Sequence, residues 1–266
     1  MDLSSVLEIS SKSDAGRVRS HNEDSIAFDA ETGIAVLADG MGGYNAGEVA
    51  SGIAVALITA GLKGELARAG RLDVKAREAL LKEQVLAANN AIMQAAQKRP
   101  ECEGMGTTVV AALFREGQVS VAHLGDSRLY RLREGKLDVL TRDHSLLQEQ
   151  LDQGMLTPEE AKTSSHRNIV TRALGVERDA IAEVGTFDAL SGDIYLLCSD
   201  GLNDMLEDEE IGLTVRTLGE NVKLAADQLV ELANENGGRD NVSVILVKVK
   251  AGFETRQGLL AKLFRK

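Results

Sequence analysis

Val36-Leu37-Ala38-Asp39-Gly40-Met41-Gly42-Gly43 is an apolar run that ends on a carboxylate and continues into glycines. The apolar residues suit a buried strand, and the glycines permit a tight turn and close backbone approach. The same punctuation recurs. Leu196-Leu197-Cys198 runs into Ser199-Asp200-Gly201, Val121 to Leu124 runs into Gly125-Asp126-Ser127-Arg128, and Asp240-Asn241 opens the apolar stretch Val242 to Val249. A lone Asp-Gly is most often a turn. Four carboxylates at the rims of hydrophobic strands raise another expectation. If those strands lie side by side, like charges converge, and they stay ionised cheaply only around a cation. Oxygen donors without a nearby His or Cys favour the hard cations Mg²⁺ or Mn²⁺ over zinc.

Outward from these rims, strand candidates are Gly33 to Leu37, Thr107 to Phe114, Gln118 to Leu124, Ile194 to Cys198 and Val242 to Val249. Leu129 to Leu140, broken by Glu134-Gly135, has the pattern of a hairpin. Helical spacing appears in Ala46 to Gly61 and in Leu81, Val85, Ala88, Ile92 and Ala96. A third helix is expected from Lys223 to Asn236, stopped by Gly237-Gly238. A shorter one begins at Thr157, where Pro158 suits the first helical position and Glu160 completes a capping box. Strands and helices in this order predict an antiparallel-rich α+β layered fold rather than regular βαβ alternation.

At 266 residues, with 44% hydrophobic and 27% charged residues, the chain is an ordinary globular sequence and excludes collagen-like, disordered and disulfide-scaffold classes. Only two prolines and no repeat interrupt it, so a single main domain is expected. The net charge of −11 argues against a nucleic-acid partner, whose phosphates need clustered Lys and Arg. Two cysteines, Cys102 and Cys198, lack paired metal or redox spacing and fit a reducing cytoplasm. The opening MDLSSVLEIS lacks the pattern of a signal peptide. Ile53 to Ala60, the longest apolar stretch, has eight residues, against the roughly 20 that a bilayer span requires. No transmembrane segment is expected.

Arg19 and Glu23 come from RSHNED, residues 19–24, just ahead of the first Asp-Gly strand. An arginine beside a carboxylate and metal cluster suits phosphate, which its planar fork grips. The competing reading is a surface ion pair with Glu23 or Asp24. RSHNED at 19–24, ADGMGG at 38–43, GMGTT at 104–108, HLGDSR at 123–128, LLCSDGL at 196–202 and RDNVSV at 239–244 stand in the order of the motifs of the protein phosphatase 2C (PPM) family. From about Ser10 to Val249 the chain resembles that family, and most of all its compact bacterial serine/threonine phosphatases.

The resemblance implies a four-layer α-β-β-α sandwich with central antiparallel sheets, a helical flap insertion over Asp143 to Asn168, and a two-metal site at one end. It implies that Asp39 bridges two Mg²⁺ or Mn²⁺ ions, that the Gly40 carbonyl binds one, and that Asp200 and Asp240 bind the other. Glu23 would hold a metal-bound water, Asp126 with Asp200 a weaker third ion, and Arg19 the phosphate. It further implies attack by a hydroxide bridging metals roughly 3.5–4 Å apart, on phosphoserine and phosphothreonine proteins, opposing a bacterial-type Ser/Thr kinase. A cytoplasmic monomer is expected.

No thiol nucleophile competes, because Thr108 and Asp204 stand where a Cys-x5-Arg pattern needs arginine. Both cysteines then look like small core residues. An ester hydrolase using Ser127 would need a histidine base toward the C-terminus, and none follows His166. A third reading keeps the fold as a binding module without turnover, against which the intact acidic set argues. Two positions depart from the family pattern: Met41 stands where members outside the bacterial branch carry His, and Tyr44 where many bacterial relatives do. The four histidines are expected as loop or strand residues, with His166 in the flap the foremost candidate for a role. Residues 1–250 form the expected catalytic domain, and 251–266 a tail. Its GLLAKLFRK pattern at 258–266 suits either a frayed end or an amphipathic helix for an anionic membrane or a partner.

Overall fold

The computed structural model describes residues 2–43, 46–161 and 169–253. Tyr44, His166 and the tail pattern at 258–266 therefore lie outside the described residues. In chain order the strands are β1 (Leu7–Asp14), β2 (Ser25–Asp29), β3 (Ile34–Ala38), β4 (Gly40–Met41), β5 (Gly106–Thr107), β6 (Val109–Arg115), β7 (Gln118–Leu124), β8 (Arg128–Arg133), β9 (Lys136–Val139), β10 (Glu183–Asp188), β11 (Ile194–Cys198) and β12 (Val242–Val249). The helices are α1 (Ala46–Ala69), α2 (Val74–Lys98), α3 (Leu146–Asp152), α4 (Pro158–Ala161), α5 (Asp200–Asn203), α6 (Asp208–Leu218) and α7 (Val222–Glu235).

Two five-stranded antiparallel sheets form the centre, ordered β1-β12-β11-β8-β9 and β10-β7-β6-β3-β2. Successive side chains of a strand point to opposite faces, so a strand covered on both faces must be apolar throughout. In β3, Ile34, Val36 and Ala38 pack toward α1 and α2, while Ala35 and Leu37 pack toward the other sheet. In β12, Val242, Val244 and Leu246 face α5 to α7, and Ile245, Val247 and Val249 face the first sheet's partner layer. Three apolar cores therefore separate four layers, α-β-β-α, as the family resemblance implies. The flap position holds α3 and α4. At α4 the expected capping box is present: Glu160 accepts from the Thr157 N–H at 2.8 Å and Thr157 Oγ1 from the Glu160 N–H at 3.3 Å.

Two of the expected elements are reshaped. The strand expected over Thr107 to Phe114 is divided, because Thr107 and Thr108 turn their hydrogen bonds to Asp39 before β6 begins. Helix α1 runs on past Gly61, where α2 approaches so closely that a Cβ would strike the Gln84 side chain. That helix contains Ile53 to Ala60 and, by length and composition alone, is long and apolar enough to cross a bilayer. Its apolarity has a core explanation: Ala50, Ala54, Ile58 and Leu62 form a fully buried stripe against the sheet.

Candidate active site

The cleft lies where ends of both sheets meet. Asp39 follows β3 and Asp126 follows β7 in one sheet; Asp200 follows β11 and Asp240 precedes β12 in the other. Because β3, β6 and β7 are neighbours, as are β11 and β12, the four rims converge. Arg19, Glu23, Asp39, Gly40, Asp126, Asp200 and Asp240 all line one cleft of about 220 Å³, together with Met41, Thr108, Val170 and Asn241. All seven residues singled out from the sequence thus share one cavity.

Local chemistry fixes each rim. The Asp39 N–H donates to Thr108 Oγ1 at 3.0 Å, and the Asp39 carbonyl accepts from Thr108 N–H at 2.9 Å and Thr107 Oγ1 at 2.8 Å. Thr108 Oγ1 and Ser127 Oγ lie 2.7 Å apart, which ties the Asp39 rim to the Asp126 turn. Ser127 is buried in that bond, which removes it as a nucleophile exposed to substrate. Gly40 is required by space: a Cβ there would collide with the main-chain oxygens of Gly47 and Glu23. Gly125 sits at φ +107°, a region that favours glycine, and directs Asp126 inward.

Three further residues of the site were not singled out from the sequence. Asn241 accepts the Glu23 N–H at 2.8 Å and donates to the carbonyls of His21 at 2.8 Å and Ala15 at 3.0 Å, so it holds the whole loop that carries Arg19 and Glu23. Thr108 is the link just described. Asp24 is buried behind the cleft, accepts from Ser199 Oγ at 2.8 Å through Oδ2, and leaves Oδ1 buried without a partner. The quoted motifs contained all three, but nothing in residue type alone marks a side chain whose partner lies across the fold.

Electrostatics follow from this crowding. Burial pushes the Asp39 carboxyl well above its ordinary range, and the charges of Asp24, Asp200, Asp126 and Asp240 push it further. Asp200 is raised in the same way, by burial and then by Asp126, Asp204, Asp240 and Asp24. Burial raises Asp126 to about 7 and Asp24 to about 6, and raises Glu23 as well. Arg19 is an ion-pair residue here, but its partner is neither Glu23 nor Asp24: Nη2 donates to Asp240 Oδ2 at 2.8 Å, with the Arg19 side chain 55% exposed. Arg128 grips Asp143 at 2.7–3.1 Å and Tyr130 Oη at 3.0 Å, so its fork is engaged away from Asp126. Cys102 and Cys198 are free and buried, as small core residues should be.

Residues 15–241 match the family described as protein phosphatase 2C. The chain belongs to the protein phosphatase 2C family. It is 40% identical to the serine/threonine protein phosphatase PstP of Mycobacterium tuberculosis over 92% of this chain and 45% of that protein, so it spans under half the length of that relative. It is also 40% identical to the serine/threonine phosphatase stp of Listeria monocytogenes, over 89% of this chain and 94% of that one. Among solved structures, the catalytic domain of PstP in complex with two manganese ions superposes with a TM-score of 0.81 at 40% identity, covering 92% of this chain and 99% of that one. The superposition shows that the PstP catalytic domain shares the fold of this chain.

Proposed function

We propose that this phosphatase 2C domain is a Mg²⁺- or Mn²⁺-dependent serine/threonine phosphoprotein phosphatase that hydrolyses phosphomonoesters in the carboxylate cleft. One observation carries the reading: Asp39, Asp126, Asp200, Asp240 and Glu23 converge in a single cavity with Arg19 at its rim. The donor set fits a hard cation, because it is all oxygen and because carboxylates raised by burial and by one another are stabilised in their charged form by a cation. Asp39, Asp200, Asp240 and the Gly40 carbonyl would hold two core ions, Glu23 a bound water, and Asp126 with Asp200 a weaker third. Such ions, when bound, supply Lewis acidity toward a phosphoryl oxygen and an activated water.

The chain's own residues position the substrate. Arg19 is exposed enough to exchange Asp240 for a phosphate, whose oxygens match its fork. Met41 and Val170 form the apolar part of the rim, against which the residue carrying the phosphate would pack. No histidine lines the cleft among the described residues, so proton delivery to the leaving alkoxide has no imidazole source there. Residues 1–250 would make up the catalytic domain, with 251–266 as a tail able to touch an anionic membrane or a partner. A cytoplasmic monomer acting on phosphoproteins, including those of a cognate Ser/Thr kinase, completes the reading.

The test is phosphate release from a phosphothreonine peptide with Mn²⁺, with EDTA, and with Asp200→Asn or Asp240→Asn. Turnover should vanish with chelator, return with Mn²⁺, and fall below about one tenth of wild type in either variant. Retained activity at saturating Mn²⁺ would exclude these carboxylates from the chemistry.

A further inference from the structure

Outside the cleft, His123, His144 and Glu183 bring donor atoms within 4.8 Å of one another, the spacing of a metal site. The hydrogen bonds of His144 argue for something else. Its Nδ1 lies 3.1 Å from the Gly125 N–H. A main-chain N–H can only donate, so Nδ1 accepts and the ring proton sits on Nε2. A metal at Nε2 would then need an imidazolate. Nε2 instead faces Glu183 Oε1 at 3.1 Å, off the straight N–H line. The His144 ring is 5% exposed and stacks on His123, with centroids 5.1 Å apart and planes 5° apart. His123 is itself fixed against Arg142, Nε2 lying 3.0 Å from the Arg142 carbonyl.

The main chain of His144 completes the connection. Its N–H donates to the Gly125 carbonyl at 2.9 Å, so ring and backbone together clamp both polar groups of Gly125. On its other side the His144 carbonyl accepts from Thr171 N–H at 2.8 Å, Leu146 N–H donates to the Ile169 carbonyl at 2.9 Å, and Ser145 bridges to Val170. One residue thus joins the turn that aims Asp126 to both stems of the flap, one of which delivers Val170 into the cleft.

We propose that His144, through its Nδ1 acceptor, is a positioning residue that holds the Gly125-Asp126 turn and the flap stems in the geometry of the third cation site. This rests on the reading of Asp126 as a ligand of that ion, and the test separates the two. Asn is the informative replacement, since its Oδ1 is bonded to Cγ as Nδ1 is and offers an acceptor at nearly the same place. Leu fills similar space without an acceptor.

In the metal-free protein, ¹⁵N NMR of the imidazoles should show His144 as the Nε2–H tautomer. Exchange of the Gly125 amide proton should accelerate at least about tenfold in His144→Leu and stay near wild type in His144→Asn. Mn²⁺ alone, titrated by calorimetry, should then show a weak step beyond the two core ions. That step should be absent in Asp126→Ala, weakened at least about tenfold in His144→Leu, and within about threefold of wild type in His144→Asn. An Nδ1–H tautomer, or an Asn variant as impaired as Leu in both measurements, would overturn the proposal. So would tight Zn²⁺ binding that Glu183→Gln abolishes, because the cluster would then be a metal site. A weak Mn²⁺ step that survives in Asp126→Ala would refute the ligand reading of Asp126, while the tautomer and the Gly125 exchange rates would still decide whether His144 holds the turn.

Discussion

Replacing Asp126 by Asn should stabilise the metal-free protein while damaging its function. In the metal-free chain, burial raises Asp126 to about 7, whereas an unfolded aspartate titrates near 3.9. A raised carboxyl binds more protons folded than unfolded, so stability is full below the unfolded value and is lost as pH rises through the folded one. Each pH unit between the two values is worth about 1.4 kcal/mol, so the loss reaches about 1–2 kcal/mol at pH 5 and up to about 4 at pH 8. Because Asp126 and Asp200 raise one another, the upper figure is about 2–4 kcal/mol. Asn keeps the shape and removes the charge. Urea unfolding in EDTA at pH 5 and pH 8 should therefore show Asp126→Asn more stable than wild type, by a margin that widens with pH. Mn²⁺ should narrow or reverse the order, because wild type gains more from the ion. A variant less stable than wild type at pH 8 in EDTA, or a margin independent of pH, would refute the picture of Asp126 as a buried, strained carboxylate.

Arg19→Ala should raise KM for a phosphopeptide more than it lowers kcat, since its fork meets the phosphate already in the ground state; an unchanged KM would leave Arg19 as only the ion-pair partner of Asp240. Iodoacetamide should leave activity intact, because burial pushes the Cys198 thiol up to about 12; rapid inactivation of folded protein would contradict a metal-dependent route. Asp126→Ala should lose turnover on phosphoserine peptides far more than on p-nitrophenyl phosphate, whose leaving group needs little protonation. Equal losses on both would make Asp126 a support for the core site instead.

Which elements were legible in the sequence follows from where they sit in the sheets. The limits of β7, β11 and β12 are those expected, because central strands are buried on both faces and stand out as solid apolar runs. Strands β1, β2 and β10 carry no solid apolar run to mark them, and all three are sheet edges with mixed exposure. Edge strand β9 was found through the Glu134-Gly135 turn rather than through its own residues. The carboxylates were legible because each follows or precedes such a run. Asn241 and the partner of Arg19 were not, since their bonds join residues about two hundred apart in the chain, and local spacing holds no trace of them.

The carboxylates come from both sheets, Asp39 and Asp126 from one and Asp200 and Asp240 from the other. The sandwich therefore acts as a caliper whose jaws are the rims. Its far end is closed by Phe114 of one sheet against Tyr195 of the other, ring centroids 5.1 Å apart and edge to face. Five or six residues of strand, about 16–20 Å, separate that pair from the jaws. Any change of packing at the hinge end that lets one sheet slide on the other alters the gap between the jaws. Coupling of this kind is reciprocal. An ion gripped at the mouth would thus also be a clasp on the whole sandwich, resisting shear between two sheets that, among the described residues, form separate hydrogen-bonded ladders.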